Sequence, residues 1–178
     1  MTRQLDGTGM KRMHRAWRRR PHGRLALILD GLGTPTNVGS IIRTAAAYSI
    51  DKVWLGATTP GPEHGGVAKT ALGTDRYLEF VVSDTTVAAV TAAKAEGYLV
   101  IGIELAESAR PLHELKLPAD VCLVVGHEDH GIGKAAIVVC DTLAYLPQLG
   151  RVGSLNVATA TALAIYEVRR RSWDRDLP

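Results

Sequence analysis

The sequence predicts an α/β fold, with a mostly parallel sheet flanked by helices on both faces. Short apolar runs rich in Val, Ile and Leu recur along the chain, and stretches with helical patterning separate them. Such continuous apolar runs are typical of strands buried on both faces, as in parallel sheets covered by helices. A chain of 178 residues, 46% hydrophobic and 22% charged, is long enough to bury one core. We therefore expect one α/β domain with a short appendage.

The predicted elements alternate along the chain. Six short apolar runs are predicted as strands: 25–30, 52–56, 77–82, 98–103, 121–126 and 142–147. Four stretches are predicted as helices: 37–49, 85–96, 132–139 and 154–171. Residues 58–66 are rich in Gly and Pro and predict a loose loop. In the last helix we expect Ser154 to be the N-cap and Arg169, Arg170 and Arg171 to face the negative C-terminal end.

Basic residues are concentrated at the start of the chain. Residues 1–24 hold eight Lys/Arg and one acidic residue, a net charge of +7. Residues 25–178 hold 13 Lys/Arg and 17 acidic residues, a net charge of −4. We expect residues 1–24 to form a basic N-terminal arm, helical or partly disordered, and residues 25–178 to form the folded domain. A solvated arm and a phosphate-binding arm both fit the charge. The sequence shows no apolar stripe for a lipid surface, which favours nucleic-acid phosphates.

The cysteines and the hydropathy of the chain predict a cytoplasmic protein. Cys122 and Cys140 lie in apolar runs and are expected to be buried, reduced thiols. Two cysteines make no disulfide framework for a chain of this size, which indicates a reducing compartment. The first 20 residues are polar and basic, unlike a signal peptide, and no apolar stretch approaches the length of a membrane span.

Two glycine-bearing turns match known ligand motifs only in part. The pair Gly31 and Gly33 lacks the third glycine of a dinucleotide fingerprint, and no acidic residue ends the next strand. Residues 126–131, Gly-His-Glu-Asp-His-Gly, place consecutive polar residues on a turn, and these cannot all face one metal ion. Glu128 nevertheless lies just past the end of a predicted strand, at the edge where parallel sheets bind ligands.

Two further features have no simple structural explanation. Arg43 is a lone charge on a predicted helix of otherwise apolar and small residues, one turn after Gly39. Residues 146–160 lead from a strand through a glycine-bearing loop into a helix, where backbone N–H groups can hold a polar ligand. A capping role accounts for Ser154 in this stretch but leaves Asn156 unexplained.

Three blocks of sequence together indicate a family. They are Asn37-x-Gly39-xxx-Arg43, Gly126-x-Glu128-xx-Gly131-Ile132 and Leu146-Pro147-xx-Gly150-xxx-Ser154-Leu155-Asn156-Val157. In order and spacing they resemble the three motifs of the SPOUT superfamily, in its SpoU–TrmH branch of RNA ribose 2'-O-methyltransferases. The resemblance covers residues 25–171. Three blocks at consistent spacing are far more specific than one.

The resemblance implies a fold, a cofactor and an oligomeric state. It implies that the C-terminal end of the α/β domain is tucked through a loop as a trefoil knot, which composition alone could not suggest. It also implies a homodimer with each active site at the subunit interface, and S-adenosyl-L-methionine bent in the knot and held largely by main-chain groups. By position, the cofactor pocket would be lined by Gly126, Leu146, Leu155 and, at the end of its strand, Ile103. No metal is expected, because the leaving group is already a cationic sulfonium.

The same resemblance implies which residues carry the reaction. A ribose 2'-hydroxyl is a poor nucleophile, so transfer needs its proton removed and its oxygen aligned with the methyl group. Arg43 stays protonated, so we expect it to bind the phosphate next to the reacting ribose and to stabilise the developing oxyanion. The missing side chain of Gly39 would let the RNA backbone come within reach of that guanidinium. Asn37 would orient Arg43 or the ribose.

The remaining predicted site residues come from the second and third blocks. Glu128 is expected to hold Arg43 or Asn37 by a charge-assisted hydrogen bond. Ser154 and Asn156 would position substrate or cofactor from the partner side. The chain departs from the family pattern at four positions. The family commonly has methionine in place of Gln148, serine in place of Ala158, and small or amide residues in place of His127 and His130.

The substrate expected from this resemblance is RNA, with tRNA favoured by the chain length and the compact arm. Ribosomal RNA is the alternative substrate. A catalytically silent RNA-binding module on the same scaffold is the alternative function. Binding alone would not require Arg43, Glu128 and Asn156 together, which favours the enzyme.

Overall fold

A computed structural model describes residues 4–20, 22–56 and 58–174. Within these residues one seven-stranded sheet forms from β1 (Leu25–Asp30), β2 (Lys52–Gly56), β3 (Glu79–Ser83), β4 (Leu99–Ile103), β5 (Arg110–Pro111), β6 (Val121–Gly126) and β7 (Thr142–Tyr145). The strand order is β3-β2-β1-β6-β4-β7-β5, and each neighbouring pair is parallel. The helices are α1 (Gly7–Arg18), α2 (Pro35–Ala47), α3 (Gly65–Ala71), α4 (Thr86–Ala95), α5 (Lys134–Val139) and α6 (Val157–Asp174).

Helices cover both faces of the sheet, as the sequence predicted. Successive side chains of the central strand β1 point alternately to the two faces of the sheet. Leu25, Leu27 and Leu29 belong to a core shared with α2, α3 and α6, whereas Ala26 and Ile28 belong to a core shared with α4 and α5. All five side chains are fully buried. The uninterrupted apolar run therefore reflects burial on two sides.

Apart from those of α6, the predicted boundaries lie within two residues of the observed ones, and one α-helix and one strand among the described residues were missed. β1, β2 and β6 have the predicted bounds. α2 begins two residues early, at Pro35, because proline suits the first helical position, where no N–H partner is needed. The missed elements are α3 and the two-residue strand β5.

Residues 58–66 are not the loose loop that the sequence predicted. Thr59 is buried, and its hydroxyl donates to the carbonyl oxygen of Leu29 at 2.9 Å. The same hydroxyl oxygen accepts from the N–H of Leu32 at 3.1 Å. These bonds fix the segment to the end of β1, and α3 begins inside it at Gly65.

The start of α6 differs from the prediction. The side chain of Asn156, not Ser154, caps the helix, because its Oδ1 accepts from the N–H groups of Ala158 and Thr159 at 3.0 and 3.2 Å. Both residue types can cap a helix, so composition did not decide between them. The cap places the first helical residue at Val157.

Arg169 and Arg171 of α6 bind other segments of the chain, whereas Arg170 pairs with Glu167 on its own helix. Arg169 is 4% exposed and donates to the carbonyl oxygens of Gly23, Tyr48 and Ser49. Arg171 donates to the carbonyl oxygen of Leu112 at 3.0 Å. These bonds satisfy backbone acceptors of the neighbouring segments. The predicted dipole role is therefore wrong for Arg169.

The described part of the arm contains an amphipathic helix. α1 is capped by Asp6, whose carboxylate accepts from the N–H of Gly9 at 2.7 Å, and none of its residues is buried. Met10, Met13 and Trp17 form an apolar stripe, each about half exposed. The ring of Trp17 lies 5.1 Å from that of Trp173 on α6. The prediction that no lipid-facing apolar stripe accompanies the charges missed this stripe, whose Trp17 packs on α6.

Two further observations concern the described residues as a set. No helix among them combines the length and the apolar character needed to cross a membrane. Cys122 is buried and Cys140 is half-buried, and both thiols are free. Burial raises the pKa of Cys140 to about 11, so its thiol is protonated at neutral pH.

Candidate active site

A cavity of about 520 Å³ opens where several strands end. Its walls come from the segments that follow β4, β6 and β7 and from the first turn of α6. This is the edge at which parallel sheets bind ligands, and the volume is that of a small-molecule site. Seven of the residues singled out from the sequence line the cavity: Ile103, Gly126, Glu128, Leu146, Ser154, Leu155 and Asn156.

Glu128 is held by a set of hydrogen bonds from the start of α2. Asn37 donates from Nδ2 to Oε1 of Glu128 at 2.7 Å. The N–H groups of Gly33 and Thr34 donate to its two carboxylate oxygens at 3.1 and 3.2 Å. Burial by itself raises the pKa of Glu128, but these hydrogen bonds outweigh it and lower the pKa from 4.5 to about 2. The carboxylate also lies at the positive end of the α2 dipole.

Asn156 joins the third block to the other two. Its Nδ2 donates to Oδ1 of Asn37 at 3.0 Å, while its Oδ1 caps α6. Asn37 therefore bonds to Glu128 with its amide nitrogen and to Asn156 with its amide oxygen. The three blocks that lie far apart in the sequence converge on one hydrogen-bonded network within one chain, so the expectation that Asn156 acts from the partner side is wrong.

Arg43 lies apart from this network. Its side chain is exposed on α2, it does not line the cavity, and among the described residues it has no hydrogen bond or ion pair. Of the two partners expected for Glu128, the structure gives Asn37 and not Arg43. Arg43 lies six positions after Asn37 on the same helix, which corresponds to a rise of about 9 Å along the helix axis.

Gly39 serves the packing of two helices. A Cβ atom at Gly39 would lie 2.6 Å from the carbonyl oxygen of Val67 and 2.7 Å from Cβ of Thr70. Both contacts belong to α3, which crosses α2 at this point. The expectation that RNA approaches at Gly39 is therefore wrong, because α3 occupies that space.

Gly126 is required by the turn that follows it. A Cβ at Gly126 would overlap the backbone of Gly131 and Ile132. His127 and Gly131 exchange two backbone hydrogen bonds of 3.0 and 2.9 Å, so residues 127–131 fold back over the end of β6. This turn carries Glu128 to the cavity wall.

Glu104 is a site residue that sequence reasoning missed. It follows β4 directly, lines the cavity, and its Oε2 accepts from the N–H of Ile132 at 2.8 Å. The sequence signal that could have identified Glu104 is an acidic residue that follows an apolar run, as Glu128 also does. Within the described residues, no three His, Cys, Asp or Glu side chains are grouped closely enough to hold a metal ion.

Two characterised relatives align with most of this chain. It is 31% identical over 154 residues to the tRNA (guanosine(18)-2'-O)-methyltransferase of Escherichia coli strain K12, covering 86% of this chain and 66% of the relative. It is 35% identical over 146 residues to the 23S rRNA (guanosine(2553)-2'-O)-methyltransferase RlmP of Bacillus subtilis strain 168, covering 82% of this chain and 58% of the relative. The chain thus spans less than two thirds of each.

The fold and the family agree with these alignments. The AdoMet-bound rRNA methyltransferase from Sinorhizobium meliloti superposes with a TM-score of 0.78 at 28% identity, over 85% of this chain and 57% of that one. The sequence model of the SpoU rRNA Methylase family matches residues 24–166. That match covers all three blocks and most of the chain, and this protein belongs to the SpoU rRNA Methylase family.

Proposed function

We propose that this chain transfers a methyl group from S-adenosylmethionine to a ribose 2'-hydroxyl of RNA. The observation that carries the proposal is the network of Asn37, Glu128 and Asn156 at the wall of the 520 Å³ cavity. The E. coli and B. subtilis relatives are named for this reaction on tRNA and on ribosomal RNA.

The cavity fits the chemistry of S-adenosylmethionine. Ile103, Leu146 and Leu155 offer apolar walls for an adenine ring, and the carboxylate of Glu104 suits a cationic ligand. Oε1 of Gln148 is buried and has no hydrogen-bond partner among the described residues, so an acceptor is available for a ligand N–H. When bound, the cofactor would supply an electrophilic methyl group on a sulfonium. Gly126 would hold it through main-chain groups.

Arg43 is proposed to bind the phosphate next to the reacting ribose and to stabilise the developing 2'-oxyanion. Its exposed guanidinium has no partner among the described residues, which leaves all five donors for RNA. The 2'-hydroxyl proton would pass to that phosphate or to a water. Asn37, fixed by Glu128 and Asn156, would orient the ribose, and Ser154 would contact substrate or cofactor.

A homodimer is proposed because one chain does not bring all these groups together. Arg43 is exposed and does not line the cavity of its own chain. In a dimer with the sites at the subunit interface, Arg43 of one protomer can serve the cavity of the other. Sedimentation equilibrium tests this directly, since a monomer with full activity would contradict it.

A C-terminal trefoil knot is also proposed. In the sheet, β7 lies between β4 and β5, although it follows both in the chain. After β7 the chain returns towards α2, where Asn156 bonds to Asn37. This return path supports threading of residues 146–171 past the β4–β5 connection.

tRNA is the substrate that we propose, with ribosomal RNA as the second candidate because the family description and the B. subtilis relative name it. We also keep the prediction of a cytoplasmic protein and of a basic arm, residues 1–24, that contacts RNA phosphates beside the domain of residues 25–178.

The test is to incubate the purified chain with methyl-labelled S-adenosylmethionine and separate unmodified tRNA and ribosomal RNA. Label in an alkali-resistant dinucleotide is expected, because a methylated 2'-oxygen cannot attack the adjacent phosphodiester. Label in alkali-sensitive material would indicate base methylation instead. RNA binding without label would indicate a silent binding module.

A further inference from the structure

Two histidine rings stack on the turn that carries Glu128. The ring centroids of His127 and His130 are 4.9 Å apart and the ring planes differ by 22°. Both residues line the 520 Å³ cavity. The mechanism proposed above uses neither ring.

The inner ring of the pair is fixed in place. Nδ1 of His127 accepts from the N–H of Asp129 at 3.0 Å. Its Nε2 would lie 3.0 Å from a Cβ built on Gly33, so the ring packs against the segment that leads into α2. The turn itself is closed by the His127–Gly131 hydrogen bonds, and Gly131 has a φ of +67° that other residues rarely adopt. His130 therefore sits on a preorganised support.

The outer ring is available to a ligand. His130 is exposed, and among the described residues its ring nitrogens have no hydrogen-bond partner. His127 covers one face of the ring, which leaves the other face open. Glu128 and Asp129 precede it on the same turn, so the surroundings are acidic and disfavour a phosphate group. A neutral planar group suits this surface better.

We propose that the open face of His130 stacks on the base of the nucleotide whose ribose enters the active site. This inference rests on the proposed function, because it needs RNA at the cavity. Proteins that act on single-stranded RNA commonly stack unpaired bases on aromatic or histidine rings. Glu128, two residues away, belongs to the network that would orient the ribose, so the attached base lies within reach of His130.

The experiment compares His130→Ala with His130→Phe, which keeps a ring face and loses the ring nitrogens. RNA affinity is measured by fluorescence anisotropy with the unmodified tRNA and ribosomal RNA transcripts, and S-adenosylmethionine affinity by calorimetry. For His130→Ala, stacking predicts about 10-fold weaker binding of the unmodified transcript that wild type uses as a substrate, within the range found for one base on one ring. His130→Phe should restore it to within about 3-fold of wild type. Melting temperature should not change, because the side chain is exposed, and cofactor affinity should not change, because the ring is proposed to contact the RNA base.

Three results would overturn the stacking role. His130→Ala could bind RNA as well as wild type, His130→Phe could be as weak as His130→Ala, or the loss could fall on S-adenosylmethionine, whose adenine would then be the stacked ring. Each of these leaves the proposed function intact if wild type still methylates RNA. Absence of methylation by wild type would instead refute the proposed function and this inference with it.

Discussion

Arg43 in the first block and Glu128 in the second block have opposite surroundings. Glu128 stays ionised and accepts hydrogen bonds from Asn37, Gly33 and Thr34 within the chain. Arg43 is exposed and has no such partner among the described residues. A carboxylate held by internal hydrogen bonds organises the site, whereas a guanidinium without partners is available to an anionic substrate.

Replacing Arg43 by alanine is expected to lower kcat/KM for methyl transfer by about 100-fold, the scale of losing one positioned electrostatic group. Melting temperature and S-adenosylmethionine affinity should not change, because the side chain has no hydrogen bond or ion pair with the described part of the chain. Steady-state kinetics and calorimetry give the two readouts. Arg43→Lys is the matched control and should recover part of the rate, since it keeps the charge without the planar fork. Near-normal turnover in Arg43→Ala would rule out the assigned role.

Replacing Glu128 by glutamine is expected to destabilise the fold in a pH-dependent way. The glutamine amide would place N–H groups where the carboxylate now accepts hydrogen bonds from backbone N–H donors. Wild type should therefore be more stable than the variant at neutral pH. The pKa of Glu128 is lowered from 4.5 to about 2. Its stabilising effect is therefore complete above about pH 4.5 and is lost as the pH falls towards 2.

Urea unfolding of both proteins between pH 7 and pH 3 measures this effect. The difference in unfolding free energy between wild type and Glu128→Gln should narrow as the medium is acidified below pH 4.5. A difference that stays constant across the range would show that ionisation of Glu128 does not stabilise the fold.

Among the secondary-structure elements, α2 combines packing and function. It carries Asn37 at its first turn and Arg43 beyond it, and its position depends on α3. Gly39 lets α3 approach closely enough for backbone contact. The helix that presents both proposed site residues is therefore positioned by a residue that makes no contact with substrate.

Gly39→Ala is expected to destabilise the fold by about 1–3 kcal/mol, the usual cost of overpacking, although alanine favours a helix more than glycine does. The new Cβ would lie 2.6 Å from a backbone oxygen, which cannot move aside cheaply. The matched control is Gly65→Ala on α3, where an added Cβ meets nothing within 4 Å. Chemical denaturation should show a loss for the first variant only. Equal stability of the two variants would contradict the close approach.

The sequence predicted the buried elements better than the short ones, for physical reasons. The runs that form β1 and β6 are apolar except for Asp30 at the end of β1, so composition was enough to predict burial on both faces. Helix α3 has seven residues that begin with two glycines, and tertiary packing rather than propensity holds it. The role of Gly39 depends on α3, and no local pattern encodes a distant helix.

The sequence predicted which residues form the site more fully than how they are arranged. The blocks identified Asn37, Glu128 and Asn156, and the structure brings them into one network. The choice of Asn156 over Ser154 as the cap depends on which side chain faces the free N–H groups. The isolation of Arg43 from the cavity depends on the packing of α2, which the sequence does not reveal.

The arm helix α1 gives a prediction about RNA binding. Replacing its basic residues, Lys11, Arg12, Arg15 and Arg18, by glutamine should weaken RNA binding at low salt and flatten its salt dependence. The slope of log K against log salt should fall by about 0.7–0.9 for each phosphate that the variant no longer neutralises. Trp17 remains in this variant, so its ring packing on Trp173 and the helix are kept. Filter binding from 50 to 300 mM salt tests it, and an unchanged slope would remove the arm from the interface.

For the whole molecule, charge and topology point to one working surface. Residues 25–178 carry a net charge of −4 and residues 1–24 carry +7, so phosphate attraction is concentrated in residues 1–24 and in isolated cations such as Arg43. The carboxyl edge of the sheet supplies the cavity. The proposed dimer would bring the cavity of one protomer to the Arg43 of its partner.

The most direct measurement is a crystal structure of the chain with S-adenosylhomocysteine. We expect the ligand inside the cavity, in contact with Ile103, Gly126, Leu146 and Leu155, and within reach of the Asn37–Glu128–Asn156 network. Ligand bound elsewhere, or a cavity in which these three side chains separate, would rule out the proposed site.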